Sequence, residues 1–92
     1  MRSLGWTPKS LRSFKRLVRQ NPQLRTLIEQ ALQQLVEDPF HPSLRTHKLK
    51  GDIANTWACS VDYDNRILFK FEQNSAEEVI LLLNIGSHDD VY

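Results

Sequence analysis

The clearest alternation of apolar and polar positions lies in residues 57–71, WACSVDYDNRILFKF. This pattern predicts two antiparallel strands joined by a short turn. A three-residue loop at 63–65 pairs Asp62 with Arg66 and uses the left-handed conformation that Asn65 tolerates. Alternation then gives the hairpin one apolar, core-forming face, made of Trp57, Cys59, Val61, Ile67, Phe69 and Phe71.

The opposite face of this hairpin is predicted to be polar and to carry Arg66. Ser60, Asp62 and Lys70 share that face in the same register. A two-residue loop would instead mix polar and apolar residues on both faces, so the three-residue loop is favoured. A polar sheet face with a central arginine is the first candidate for a functional surface.

Two helices are predicted before the hairpin, each with its own start signal. Thr7 and Pro8 supply a capping hydroxyl and a proline at the first helical position, and Asn21 and Pro22 repeat the signal. The first helix is amphipathic with basic outer positions, and the second has an apolar stripe that ends near 38–39. Because the connection between them is short, we expect an antiparallel helix hairpin.

Further strand-like segments complete the pattern. Residues 2–6 are compatible with a short first strand, and residues 45–50 alternate loosely, with His47 and the two lysines on opposite faces, before a turn at 52–56. Residues 79–85 are almost entirely apolar, which is typical of an interior strand covered by a helix. The expected fold is α+β, with a short N-terminal strand and a helix hairpin packed on a twisted antiparallel sheet of about four to five strands.

A length of 92 residues allows one hydrophobic core, and we predict a single domain over residues 1–92. No apolar run approaches membrane-spanning length, and the N-terminus lacks the layout of a signal peptide. Cys59, the only cysteine, cannot form an internal disulfide and alternates with core residues. We therefore expect a packed thiol in a reducing cytoplasm, with no membrane partner.

Charge is divided unevenly along the chain, although the net charge is only +1. Residues 1–50 carry +7 and residues 51–92 carry −6. A basic half suggests an anionic partner, of which nucleic acid is the commonest. A solvated helix face rich in lysine and arginine explains the same charge equally well.

Metal and cofactor chemistry find little support in the sequence. His41, His47 and His88 lack helical HxxxH spacing and a cysteine partner, so no metal site is predicted. The sequence contains no P-loop, no dinucleotide fingerprint and no nucleophile elbow, so no cofactor is predicted either.

The remaining polar residues suit cleavage of RNA without a metal. A base takes the proton of a ribose 2′-OH, the oxygen attacks the adjacent phosphate, and an acid protonates the leaving 5′ oxygen. Arginine can stabilise charge on the phosphate, either of two histidines can be base or acid, and a tyrosine can stack on a base, orient the 2′-OH or assist proton transfer. The candidates are Arg66, His88, Tyr92, His47, Lys48 and Lys50.

The tail of the chain is expected near the arginine. If the last strand runs antiparallel to the strand that Arg66 opens, its end brings His88 and Tyr92 close to that side chain. The plainer alternative is that Arg66 forms an ion pair with Asp62 and that His88 is a turn residue bonded to the backbone.

Three motifs together resemble a known superfamily: HKLKG at 47–51, DNRILF at 64–69 and GSHDDVY at 86–92. With the order of elements, they resemble the RelE/ParE toxins of toxin–antitoxin systems, and most closely the RelE and YafQ-like mRNA interferases. The resemblance implies a bacterial toxin that cleaves mRNA in the ribosomal A site. It also implies a cognate antitoxin as partner, through which the toxin would reach operator DNA.

The resemblance assigns roles to particular residues. His47 matches the histidine of the HxLxG motif of YafQ-like toxins, and Arg66 matches the arginine that opens the penultimate strand. His88 matches the histidine after the last strand, and Tyr92 falls where relatives have a terminal aromatic.

The remaining positions of the resemblance match less evenly. Lys48 and Lys50 would contact phosphates, and Asp62 stands in for an acidic residue of the middle strands. YafQ-like toxins also have a second histidine in those strands, which this chain lacks. The net charge is also lower than is usual for ribosome-dependent members.

Two other functions fit the same fold. One is a ParE-like inhibitor of DNA gyrase, a branch that generally lacks the histidine and terminal aromatic of the tail seen here. The other is a catalytically weak family member that retains antitoxin binding.

Overall fold

The computed structural model describes residues 2–50 and 55–87. Strand β1 comes first, the helices α1 and α2 follow, and four strands complete the order that the sequence pattern predicts. The elements are β1 (Arg2–Trp6), α1 (Pro8–Gln20), α2 (Gln23–Glu37), a 3-10 turn (Pro42–Leu44), β2 (His47–Lys48), β3 (Trp57–Ser60), β4 (Asn65–Asn74) and β5 (Glu77–Ser87).

Helix α1 begins at the predicted proline, Pro8, and α2 begins at Gln23, one residue after the predicted Pro22. Thr7 Oγ1 accepts a hydrogen bond from the Ser10 backbone N–H at 3.2 Å, and Ser10 Oγ accepts one from the Thr7 N–H at 3.0 Å. Before α2, Asn21 Oδ1 accepts from the Gln23 N–H at 3.2 Å. Neither helix, nor any other in the described part of the chain, is long and apolar enough to cross a membrane.

The five strands form one sheet in the order β1-β5-β4-β3-β2, with β5 in its interior as predicted. β1 runs parallel to β5, whereas every other neighbouring pair is antiparallel. The sheet is therefore mixed rather than purely antiparallel. The pattern of a five-residue strand carries no information about the direction of a partner more than 70 residues away.

The hairpin keeps its predicted faces although its loop moves. Ser60 pairs with Arg66, and the three-residue loop occupies 62–64 rather than 63–65. The pairing register thus differs by two residues from the predicted one, in which Asp62 faced Arg66. Because side chains alternate with a period of two, this shift leaves each strand residue on its predicted face, whereas Asp62 becomes a loop residue and leaves the sheet face on which it was predicted.

Asn65 does not take the predicted left-handed conformation. Among the described residues other than glycine, only Arg45 and Asn55 have positive φ, at 51° and 57°. Asn65 instead opens β4, where its backbone N–H and its side-chain amide both bond Asp62 Oδ1. The left-handed Arg45 ends the 3-10 turn, so the strand expected over 45–50 does not begin at Arg45, and β2 comprises only His47–Lys48.

One main core lies between the helices and the sheet. Ile28 and Leu35 of α2 and Phe69 of β4 are fully buried in it. The apolar face predicted for the hairpin is confirmed, since all six of its residues belong to this core or pack against it. On the other face of the sheet, a smaller cluster consists of Ala58, Leu68, Leu49 and Leu83.

A β-bulge in β5 directs two consecutive side chains to different neighbours. Phe69 pairs with Leu82 and Leu68 pairs with Asn84, so Leu83 is an extra residue on β5. Leu83 packs with the smaller cluster, while Asn84 contacts Ser13 of α1. The bulge thereby places a polar side chain between β5 and α1.

The core position Leu35 should contribute far more to stability than Leu27, which lies on the same helix and is 38% exposed. We expect Leu35→Ala to lower the free energy of unfolding by about 2–5 kcal/mol, because it leaves a cavity in a fully buried site. Leu27→Ala, as the matched control, should cost about 1 kcal/mol. Urea unfolding followed by circular dichroism measures both values, and equal losses would contradict this core.

Candidate functional site

Arg66 is anchored over the hairpin loop by its own neighbours. Its Nη1 donates to the backbone carbonyls of Asp62 at 2.7 Å, Tyr63 at 3.1 Å and Asn65 at 3.0 Å. These are bonds to the backbone, in place of the ion pair with the Asp62 carboxylate that the plainer alternative proposed. Arg66 Nε and Nη2 donate to no described residue. The guanidinium therefore has a fixed position and two unused donors, which is suited to binding an anionic oxygen.

Asp62 builds the loop that holds the arginine. Its Oδ1 accepts hydrogen bonds from the backbone N–H groups of Asp64 at 3.0 Å and Asn65 at 2.7 Å, and from Asn65 Nδ2 at 3.1 Å. A carboxylate that bonds the backbone two residues ahead is a standard way to close a turn. Asp62 thus acts on Arg66 through the loop carbonyls.

An open pocket of about 300 Å³ lies beside Arg66. Arg45, at the end of the 3-10 turn, lines the same pocket and brings a second guanidinium to it. Tyr63, which is 92% exposed at the loop tip, forms part of its wall. The sequence pattern did not predict Arg45 or Tyr63 at this pocket. Arg45 reaches it through the 3-10 turn, whose position depends on the tertiary structure.

His47 lies on the same sheet face as Arg66. It pairs with Ala58, which precedes Ser60 by two residues on β3, and Ser60 pairs with Arg66. The two strands β2 and β4 flank β3, so His47 and Arg66 are separated by two strand spacings and by two residues along the strand, together roughly 12 Å. Its Nδ1 bonds the Arg45 carbonyl at 3.0 Å.

Lys48 and Lys50, which were predicted to contact phosphates, do not share the position of His47 on the Arg66 face. Lys48 pairs with Trp57, so it lies on the sheet face opposite to His47 and Arg66. Lys50 is exposed beyond the end of β2. The predicted separation of His47 from Lys48 across the strand is confirmed.

His88 and Tyr92 lie outside the described residues. The described part of β5 ends at Ser87, which pairs with Asn65, and Gly86 pairs with Arg66. The antiparallel arrangement expected from the sequence is therefore present up to Ser87. His88 is the next residue of the chain.

The described residues also bear on two other kinds of chemistry. Among residues 2–50 and 55–87, no group of three or more His, Cys, Asp or Glu side chains could hold a metal ion. Burial raises the pKa of the Cys59 thiol to about 12, and the charge of nearby Arg66 opposes that rise. Cys59 is therefore a neutral, packed thiol near neutral pH and does not supply a nucleophile.

This combination of a two-helix layer, a five-stranded mixed sheet and an arginine at the hairpin loop defines a RelE-like toxin fold. The family model described as "Bacterial toxin of type II toxin-antitoxin system, YafQ" matches residues 2–92. The chain belongs to this family. A comparison with curated proteins finds no match.

Solved structures support the same fold. A YoeB/ParE toxin from Agrobacterium tumefaciens has a TM-score of 0.80 at 20% identity, covering 94% of this chain and 98% of the other. A metal-bound toxin from Helicobacter pylori has a TM-score of 0.77 at 22% identity, with both chains covered fully at 100%. The E. coli DinJ-YafQ toxin–antitoxin complex has a TM-score of 0.73 at 13% identity, covering 99% and 97% of the two chains.

The Asp62 carboxylate should matter more to stability than the nearby Asp64 carboxylate. Asp62→Ala removes the acceptor of three hydrogen bonds in the loop, and we expect it to lower the free energy of unfolding by about 2 kcal/mol. Asp64 is exposed, and Asp64→Ala should change that free energy by less than about 0.5 kcal/mol. Chemical unfolding of both variants measures these values. An unchanged free energy of unfolding in Asp62→Ala would show that the loop closes without the carboxylate.

The buried thiol predicts a specific dependence of stability on pH. Above pH 9.0 an exposed thiol in the unfolded chain loses its proton, whereas Cys59 in the folded chain keeps it up to about pH 12. The contribution of Cys59 to stability is therefore complete below pH 9.0 and declines as pH rises towards 12. The difference in unfolding free energy between the wild type and Cys59→Ala should therefore shrink as pH rises through that range. A difference that does not change with pH would contradict the burial of this thiol.

Proposed function

We propose that this toxin is a metal-independent endoribonuclease that cleaves mRNA in the A site of the ribosome. The observation that carries the proposal is the anchored Arg66, whose Nε and Nη2 donate to no described residue and which lines an open pocket together with a second arginine, Arg45. Such a site is suited to a phosphodiester whose negative charge increases during the reaction. The reaction needs no cofactor.

In this reaction the ribose 2′ oxygen attacks the adjacent phosphorus, and the 5′ oxygen leaves. Arg66 stabilises the added charge on the phosphate oxygens. His88 and His47 supply the two imidazoles, one as the base for the 2′-OH and the other as the acid for the leaving oxygen. Tyr92 stacks on or orients the nucleotide.

Three further residues assist binding in this proposal. Lys48 and Lys50, on the edge of the sheet and beyond it, contact phosphates outside the reacting bond. Asp62 acts by holding the loop that positions Arg66.

The partners of the proposed reaction are the ribosome, its mRNA and a cognate antitoxin, all in the cytoplasm. The likeness to the toxin in the DinJ-YafQ complex supports the antitoxin partner. Operator DNA is reached only through that antitoxin.

Primer extension on a defined mRNA in a purified translation system tests the proposal. Wild-type protein should cleave at in-frame sites only when ribosomes are present. Arg66→Ala and His88→Ala should each lower the cleavage rate by about 100-fold or more, because each removes a group from the reaction. Arg25→Ala, which removes an arginine from the exposed side of α2, is the matched control and should cleave normally.

Two results would overturn this function. Absence of cleavage by the wild type with and without ribosomes would leave a protein that acts by binding, either on DNA gyrase or on an antitoxin alone. Equal cleavage by wild type, Arg66→Ala and His88→Ala would place the reaction elsewhere on the molecule.

A further inference from the structure

A second basic region lies between α1 and β5, apart from the Arg66 pocket. An open groove of about 400 Å³ is lined by Lys9, Arg12, Ser13, Arg16 and Asn84. Lys9, Arg12 and Arg16 are spaced three and four apart, and Ser13 is four residues from Lys9 and three from Arg16, so the four lie in one stripe on one side of the helix. From Lys9 to Arg16 this stripe is roughly 10 Å long, which is enough for a row of anionic groups rather than a single one.

The floor of this groove contains a buried amide with an unused donor. Asn84 is only 7% exposed, and its Oδ1 accepts hydrogen bonds from Ser13 Oγ at 2.7 Å and from the Ile85 backbone N–H at 3.0 Å. The Ile85 N–H can only donate, so it fixes the orientation of the amide. Asn84 Nδ2 donates to no described residue, although Asn84 lines the groove. A donor in that position is suited to an oxygen of a bound ligand.

The cations of the groove are unpaired and are not opposed by nearby acids on their helix. Lys9, Arg12 and Arg16 are exposed, and none forms an ion pair with a described residue. Helix α1 contains no Asp or Glu. The described lining of the groove therefore offers three positive charges and hydrogen-bond donors, and it contains no carboxylate.

We propose that the α1–β5 groove is a phosphodiester-binding site for RNA. The described residues that line the groove include no apolar side chain, whereas protein partners usually dock through apolar or aromatic anchors. A row of cations with a fixed amide donor is instead typical of contacts to a nucleic-acid backbone. The proposal rests on RNA being the substrate of the proposed function, and it names a part of the toxin that holds that RNA.

The position of the groove gives it a role in affinity rather than in chemistry. Asn84 precedes Gly86 by two residues on β5, roughly 7 Å, and Gly86 pairs with Arg66. Arg66 alternates with buried Ile67, so it points away from the helix side, on which the groove lies. The groove therefore binds RNA near the end of β5 without contacting the reacting phosphate.

Binding of a 2′-O-methyl RNA of twelve nucleotides, which cannot be cleaved by its own 2′ oxygen, tests the groove in the full-length protein. Fluorescence anisotropy at several salt concentrations gives the dissociation constant and its salt dependence. The double variant Arg12→Gln/Arg16→Gln should weaken binding about tenfold and lower the slope of log K against log salt by about 1.4, or about 0.7 for each phosphate that is no longer neutralised. The control Lys15→Gln/Arg19→Gln removes the same charge from α1 outside the groove and should change affinity less than about twofold.

A single substitution tests the amide itself. Asn84→Asp keeps the acceptor for Ser13 and Ile85 but replaces the unused donor by an oxygen. It should weaken RNA binding about tenfold, whereas Gln20→Glu, with the same change of charge at the exposed end of α1, should have little effect. Circular dichroism shows whether each variant is folded. If Asn84→Asp does not fold, the Arg12→Gln/Arg16→Gln variant alone tests the proposal.

Three results would overturn the proposal that the groove binds RNA. These are no binding of this RNA by the wild type, equal losses of affinity in the groove and control variants, and binding of a glutamate-rich peptide of equal charge that is tighter than binding of the RNA. The last would assign the groove to an acidic protein segment. Cleavage is measured separately by primer extension. If the wild type cleaves and the groove variants change neither binding nor cleavage, only the proposal of an RNA-binding groove is contradicted. If RNA binding depends on the groove but no cleavage occurs, only the proposed ribonuclease reaction is contradicted.

Discussion

The carboxylate of Asp62 closes the hairpin loop, and the position of Arg66 depends on that closure. One carboxylate oxygen gathers three N–H donors from the two residues at the end of the loop. Two carbonyl groups of the same loop, those of Asp62 and Tyr63, and the carbonyl of Asn65 accept hydrogen bonds from the Arg66 guanidinium. A long and flexible side chain thereby loses much of its freedom before any ligand arrives, and a site that is already ordered loses less entropy on binding.

Strand β5 connects this site to the rest of the molecule. It lies between β1 and β4, and its backbone carbonyl at Leu82 accepts a hydrogen bond from Thr7 Oγ1 at 2.8 Å, which fixes the start of α1. Further along, the bulge at Leu83 turns Asn84 towards α1, and Gly86 pairs with Arg66. The arginine pocket and the basic groove are thus placed by one strand, on different sides of the sheet.

Much of the local structure could be predicted from short-range patterns. The cap and proline signals at Thr7 and Asn21 predicted both helix starts, and alternation in 57–71 predicted the core face of the hairpin. These predictions hold because they depend on chemistry within a few residues. The predicted position of the loop was wrong by one residue. The Asp62 carboxylate closes the turn by accepting a hydrogen bond from the Asn65 N–H, and Asn65 does not take the left-handed conformation that the predicted loop required.

The candidate site shows the limit of the same patterns. The sequence by itself determined the order of the elements, the buried faces and the separation of His47 from Lys48 on opposite faces of β2, because side-chain periodicity is a local property. Only the tertiary structure decided that β1 runs parallel to β5, that Arg45 enters the Arg66 pocket and that Asn84 meets Ser13. Each of these depends on a contact between residues distant in the chain, and such contacts follow from how the whole core packs rather than from any one segment.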